Sequence, residues 1–146
     1  MKRFFYHLGR LVLALVFIYA GAVKMQDVVA FAGHIAAYQI LPYALNYLVA
    51  ATLPYMEFLA GIMLLLNARV RPALLVVGGM TLIFMAALVS VLVRGLEIDC
   101  GCFDPGGGQD VTAGVALLRD IGLMILVFLV WFLRRGTAPV SHGAVP

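Results

Sequence analysis

Charge is what this chain has least of. Only 12% of its 146 residues are Asp, Glu, Lys or Arg, 64% are hydrophobic, and the mean hydropathy is +1.07. An average soluble domain is roughly 25% charged and about 45–50% apolar. A soluble fold would have to hide most of these side chains, yet a short chain leaves much of its surface exposed. Lipid is the solvent that fits. Long basic runs are missing as well, so the net charge of +3 gives no nucleic-acid interface. Cysteine is limited to Cys100 and Cys102, too few for a disulfide framework. Internal repeats are absent, and the length leaves room for one compact membrane domain and no second.

What is present is four apolar blocks: Phe4–Val23, Tyr43–Leu66, Pro72–Val93 and Val111–Leu133. Each approaches or exceeds the ~20 residues that a spanning helix needs. None alternates apolar and polar residues as a barrel strand must. The predicted fold is therefore all-α: a membrane four-helix bundle over residues 1–135, followed by a disordered tail over 136–146 with Pro and Gly. The first block has a rival reading. Met1-Lys2-Arg3, an apolar run and Ala20-Gly21-Ala22 resemble a secretory signal with its cleavage site. Arg10 interrupts that run, which favours a retained helix. Between the first two blocks, Val28, Phe31, Ile35 and Tyr38 recur at helical spacing before Pro42. That segment is too short to span and reads as a half-buried helix in the interface, against the alternative of a plain apolar loop.

The basic residues orient the bundle. Lys2, Arg3, Arg69, Arg71, Arg134 and Arg135 fall on one side; Lys24 and Arg94 fall on the other. The positive-inside bias then puts both termini in the cytoplasm, and the Leu96–Asp110 loop on the periplasmic or exterior side. Pro105 and Gly106–Gly108 break regular structure in that loop, and Asp110 is placed to cap the fourth helix.

Four charges fall inside the apolar blocks: Arg10, Glu57, Arg119 and Asp120. A charge at membrane depth costs at least ~2.5–3.5 kcal/mol on insertion scales, so each calls for a partner and often marks a function. Arg10, Ala14, Phe17, Gly21 and Lys24 form one stripe of the first helix; Ala50, Pro54, Glu57 and Gly61 form one of the second. Small residues on these stripes let helices approach closely, so both stripes turn inward. Counting along the spans at 1.5 Å per residue puts Glu57 within roughly 3 Å of Arg10 and roughly 8 Å of Arg119 in depth. The expectation is an ion pair of Glu57 with Arg10 or Arg119, with Arg10 alternatively snorkelling to the inner interface. Such a network either fixes helix packing or lines a polar cleft for a small ligand.

Cys100 and Cys102 flank Gly101 on the oxidising side of the membrane. A disulfide between them would close a very tight ring, the kind that is easily reduced, and would constrain almost none of the unfolded chain. That spacing points to a reversible redox pair, against two free thiols or a metal site. Metal is not expected: zinc sites space their cysteines more widely, and only His34 is at hand as a further ligand. Glu97, Asp99 and Asp104 oppose thiolate formation; Arg94 and the start of the fourth helix favour it.

Together these segments resemble a family. Tyr19-Ala20-Gly21-Ala22-Val23-Lys24, then Pro54-Tyr55-Met56-Glu57 with Gly61, then Cys100-Gly101-Cys102-Phe103, then Leu117-Leu118-Arg119-Asp120 look like the MauE branch of the DoxX-like membrane proteins, over roughly residues 5–133. The cysteine motif followed by Leu-Leu-Arg is the most specific part. The resemblance implies a four-helix bundle. It also implies a role like that of MauE proteins, which are associated with maturation of the disulfide-rich methylamine dehydrogenase beside a periplasmic thioredoxin-like protein. DoxX relatives add links to thiol oxidation and quinones. Two positions depart from the pattern: Asp120 stands where Asn is expected and Asp104 where Gly is expected.

Three functions compete. The first is a thiol–disulfide redox protein of the membrane. It would exchange with a periplasmic thioredoxin-like or disulfide-containing partner through Cys100 and Cys102, and pass electrons to a membrane quinone among Arg119, Glu57, Arg10 and Asp120. The second is a non-catalytic assembly factor that docks a partner at the outer loop. The third is a small transporter subunit with Glu57 and Arg119 along a path. Only the first requires both thiols.

Overall fold

The computed structural model describes residues 1–95 and 112–135, the last without its side chain. The described residues form five helices and no strand: α1 (Lys2–Gln26), α2 (Val28–Ala37), α3 (Tyr43–Leu65), α4 (Val70–Val93) and α5 (Ala113–Arg135). All but α2 are long and apolar enough to cross a membrane. The predicted all-α bundle with a short helix after the first span is the fold observed. The Cys100–Cys102 motif, the Asp110 cap and the 136–146 tail lie outside the described residues.

The four long helices form a ring in which α1 and α4 each pack on both α3 and α5. One face of the bundle carries the start of α1, the Leu66–Arg69 link and the end of α5; we call it the terminal face. The other carries α2, Gly95 and Thr112; we call it the loop face. Asp27 starts α2 by accepting a 2.9 Å hydrogen bond from the Ala30 amide, an N-cap in the usual sense. The helix turns its apolar side onto the bundle: Phe31 and Tyr38 are buried while Val29 is exposed. The Tyr38 ring lies 5.9 Å from that of Phe84 in α4. Arg94, at the end of α4, donates to the Tyr38 carbonyl at 3.1 Å and so ties α2 to the point where α4 stops.

The α1–α3 contact is the closest in the bundle. A Cβ on Gly21 would sit 2.8 Å from the Pro54 carbonyl oxygen and 2.9 Å from the Phe58 amide; one on Gly61 would sit 2.9 Å from the Ile18 amide. Lipid tails are as apolar as leucine, so helices in a membrane associate through packing and polar contacts rather than water exclusion. Glycine on each facing stripe is what lets the two backbones touch. The helices run antiparallel: Gly21 meets Pro54, and Ala14 meets Gly61. Away from this seam, Leu82, Ile83, Leu118, Ile125 and Phe128 are exposed on the outside, as lipid-facing side chains should be.

Candidate functional site

The glycine seam sets the position of every charge on α1 and α3. Arg10 falls beside the end of α3 and donates from Nη1 to the carbonyls of Leu64 and Leu65, the latter at 3.1 Å. These carbonyls belong to the last turn of α3, where the Leu64 oxygen also accepts from the Asn67 amide at 3.2 Å, and a cation suits the negative end of a helix. Glu57 lies about 12 Å further along the seam, counting eight residues of rise. The expected Arg10–Glu57 pair is therefore not formed; Arg10 serves the end of α3 at the terminal face, away from the cavity.

Glu57 pairs instead with Lys24. The Lys24 Nζ lies 2.8 Å from Oε1 and 2.9 Å from Oε2 of Glu57, and both side chains are buried. Counting residues along each span misses this pair for a reason that lies in helix geometry. Side chains tilt toward the N-terminus of their own helix. In antiparallel neighbours, Lys24 leans from the loop face toward the middle and Glu57 leans from the middle toward the loop face, so they converge. Arg10 leans toward the terminal face, away from Glu57. Lys24 also stands 5.2 Å from the centre of the Phe31 ring of α2, a cation–π distance. By position along the chain Lys24 ranks with the outer-side cations; the signal that could have found it is its place on the Gly21 stripe.

Arg119 and Asp120 form the second pair rather than joining Glu57. Nε and Nη2 of Arg119 donate to Asp120 Oδ1 at 3.1 and 3.0 Å. Asp120 is 3% exposed, and its other oxygen, Oδ2, is buried with no hydrogen-bond partner among the described residues. Lys24, Glu57, Arg119 and Asp120 all line one cavity of about 270 Å³ in the half of the bundle beneath α2. Its remaining walls are almost wholly apolar, including Phe17 of α1, Phe31 and Ile35 of α2, Tyr38 at the end of α2, Leu53 of α3 and Phe84 of α4. Of the predicted site residues, then, Glu57, Arg119 and Asp120 come together, Arg10 does not, and Cys100 and Cys102 lie outside the described residues. Chemically, the arrangement offers a ring-sized apolar slot with two charge-balanced pairs on its wall and one unused acceptor.

A family model described as "Methylamine utilisation protein MauE" matches residues 2–133. The chain belongs to the MauE family. Among MauE-family relatives, the methylamine utilization protein MauE of Paracoccus denitrificans is 33% identical over 122 residues, covering 83% of this chain and 65% of that protein. This MauE-family chain thus spans just under two thirds of the length of the curated relative it matches. No solved structure matches it. The family match and the four long apolar helices together make it a multi-pass membrane protein.

Proposed function

We propose that this chain is a thiol–disulfide redox protein of the bacterial inner membrane, with both termini cytoplasmic. In this reading it supports disulfide formation in, or maturation of, a periplasmic partner with a thioredoxin-like or disulfide-containing fold, and passes the electrons to a membrane quinone. The name of the Paracoccus relative places that protein in methylamine utilisation, and we assign this chain to the same process. The observation that carries the reading is the cavity. It is apolar, charge-balanced and ring-sized, and it sits in the half of the bundle from which residues 96–111 depart, between Gly95 and Thr112.

The chemistry balances. A partner thiolate attacks one sulfur of a Cys100–Cys102 disulfide, the S–S bond breaks, and a mixed disulfide forms. The partner's second thiol displaces it, so the partner leaves oxidised and this chain holds two thiols. Two electrons and two protons then pass to a quinone, which leaves as quinol while the disulfide re-forms. A transporter path is less well supported, because the charges on the cavity wall pair with one another, Lys24 with Glu57 and Arg119 with Asp120. The proposed orientation gains from the Lys24–Glu57 pair. With Lys24 neutralised inside the bundle, Arg94 is the one other Lys or Arg among the described residues at the loop-face helix ends. Lys2, Arg3, Arg69, Arg71 and Arg134 stand at the terminal face.

The test is to reconstitute the reduced protein in nanodiscs, add a short-chain benzoquinone without oxygen, and follow the mass of the cysteine-bearing peptide. Loss of two hydrogens in wild type, and none in Cys100→Ser or Cys102→Ser, is the expected result. Thiols that stay reduced, or single-cysteine variants that keep full biological function, would sink the redox reading in favour of an assembly role.

A further inference from the structure

We infer that the cavity selects the quinol over the quinone form of its ligand, with the buried Asp120 Oδ2 accepting a hydrogen bond from one quinol hydroxyl, and that the ligand reaches it sideways from the lipid past Ile83 of α4. The ligand's identity rests on the redox reading above; the selectivity and the route rest on the geometry of the cavity.

Charge comes first. Lys24 and Glu57 neutralise each other, as do Arg119 and Asp120, so the wall presents no net charge and suits a neutral ligand. Within that wall the hydrogen-bond inventory is uneven. Both Glu57 oxygens are taken by Lys24 and Asp120 Oδ1 is taken by Arg119, but Asp120 Oδ2 is buried without a donor among the described residues. A carboxylate oxygen in that state carries a desolvation cost that a donor would relieve. At Asp120 Oδ2 a quinol hydroxyl can donate, whereas a quinone carbonyl offers only lone pairs and would set acceptor against acceptor there. Phe31 of α2, Tyr38 just after it and Phe84 of α4 provide faces for a ring. At about 270 Å³ the cavity accommodates a head group and leaves a tail outside.

The route follows from Ile83. This residue lines the cavity yet is 73% exposed on the bundle's exterior. It lies ten residues before the end of α4, about 15 Å from that end by helix rise, and so near the middle of the span. A mouth at that depth opens onto hydrocarbon rather than water. A ligand dissolved in lipid can enter there, and a tail can remain there.

Preference for quinol would make bound quinone a stronger oxidant of the dithiol. Each tenfold difference in affinity between the two forms raises the two-electron potential of the bound couple by about 30 mV. No atom is added by this: the dithiol still loses two electrons and two protons, and the quinone still gains both.

The test uses the full chain with Cys100→Ser and Cys102→Ser, in nanodiscs without oxygen, so that binding is read apart from thiol chemistry. Dissociation constants are measured for a short-chain benzoquinol and its quinone. The expected result is quinol bound at least about tenfold more tightly. Asp120→Asn, which still offers Arg119 an acceptor, should abolish the preference because its amide can present N–H to the ligand. Ile83→Trp, on the lipid-facing side, should slow binding while leaving the preference intact. Equal affinity for both forms in the parent, or a preference that survives Asp120→Asn, overturns the assigned role of Asp120; an unchanged rate in Ile83→Trp overturns the lateral route. If selectivity is found but wild-type thiols are not oxidised by quinone, the site stands and the redox reading falls. If thiols are oxidised and no selectivity is found, the reverse holds.

Discussion

The two halves of this bundle are made from the same four helices but are filled differently. Toward the terminal face, Leu13, Ala14, Leu64, Val70, Leu74, Val77 and Val130 interlock with almost no exposed surface, and the core is continuous. Toward the loop face, a smaller cluster around Tyr38, Leu88, Val91 and Ala116 closes the end. Between the two clusters lie the cavity, the buried Lys24–Glu57 pair and the half-buried Arg119–Asp120 pair. The difference shows where a small membrane protein tolerates irregularity. The terminal half is a packed base that holds helix spacing; the loop half keeps a void because α2 bridges it from above and charge pairs brace it from the side.

The contrast can be broken most strongly at Glu57. Glu57→Ala leaves Lys24 buried without its partner, a change that commonly costs ~3–5 kcal/mol when a buried pair loses one member. A large drop in the thermal midpoint of the nanodisc-embedded protein is expected. Glu57→Gln should lose less, since it still accepts a hydrogen bond. An unchanged midpoint in Glu57→Ala would mean that the pair does not brace the cavity.

The glycine seam is next in size. Gly21→Ala forces a methyl group onto backbone atoms of Pro54 and Phe58, so α1 and α3 must separate. Overpacking of this kind costs about 1–3 kcal/mol. At Gly79 of α4 a methyl group would meet nothing within 4 Å, so Gly79→Ala should be neutral or slightly stabilising through better helix propensity. Equal effects of the two substitutions on thermal stability would show that the seam is not the close contact described.

Leu64→Ala probes the packed base itself. Leu64 is fully buried. Removing its side chain leaves a cavity, but the usual transfer contribution is small where lipid is the alternative solvent. A loss on the order of 1–2 kcal/mol is expected. Leu53→Ala, on the cavity wall, should cost clearly less, because it enlarges a space that is already open. A larger loss at Leu53 than at Leu64, measured by chemical denaturation in mixed micelles, would invert the comparison between the halves.

The smallest effect is expected at Arg10. Arg10→Met keeps most of the apolar stem and removes the hydrogen bonds to Leu64 and Leu65. A loss of about 1 kcal/mol is expected, with quinone-dependent thiol oxidation unchanged. Loss of that oxidation at preserved stability would return Arg10 to the site from which its contacts now separate it.

How much of the molecule is legible in the sequence differs by kind. The four spans read directly from hydropathy, and the observed helices α1, α3 and α4 begin and end within a few residues of the predicted blocks. The inward stripes also read correctly, because a membrane helix seam announces itself through small residues and charge on one side of the wheel. The pairing of the charges does not. Lys24 lies just past the end of the first apolar block, where an interfacial cation is the natural expectation. Its depth depends on how far α1 slides against α3, which Gly21 and Gly61 set together. Its partner depends on the opposite tilts of side chains on antiparallel helices. Neither quantity is a property of one segment.

By itself the sequence determined the solvent, the number of spans, the short helix before Pro42 and the faces that turn inward. Each follows from local composition and from a 3.6-residue period, which every segment carries independently of its neighbours. Only the tertiary structure decided which cation meets Glu57, that Arg10 serves the end of α3 instead, and that Asp120 has one oxygen beside a cavity without a hydrogen-bond partner among the described residues. These depend on axial offset and side-chain direction between helices distant in the chain, and it is the offset of α1 against α3 that leaves Glu57 about 12 Å from the carbonyls that hold Arg10.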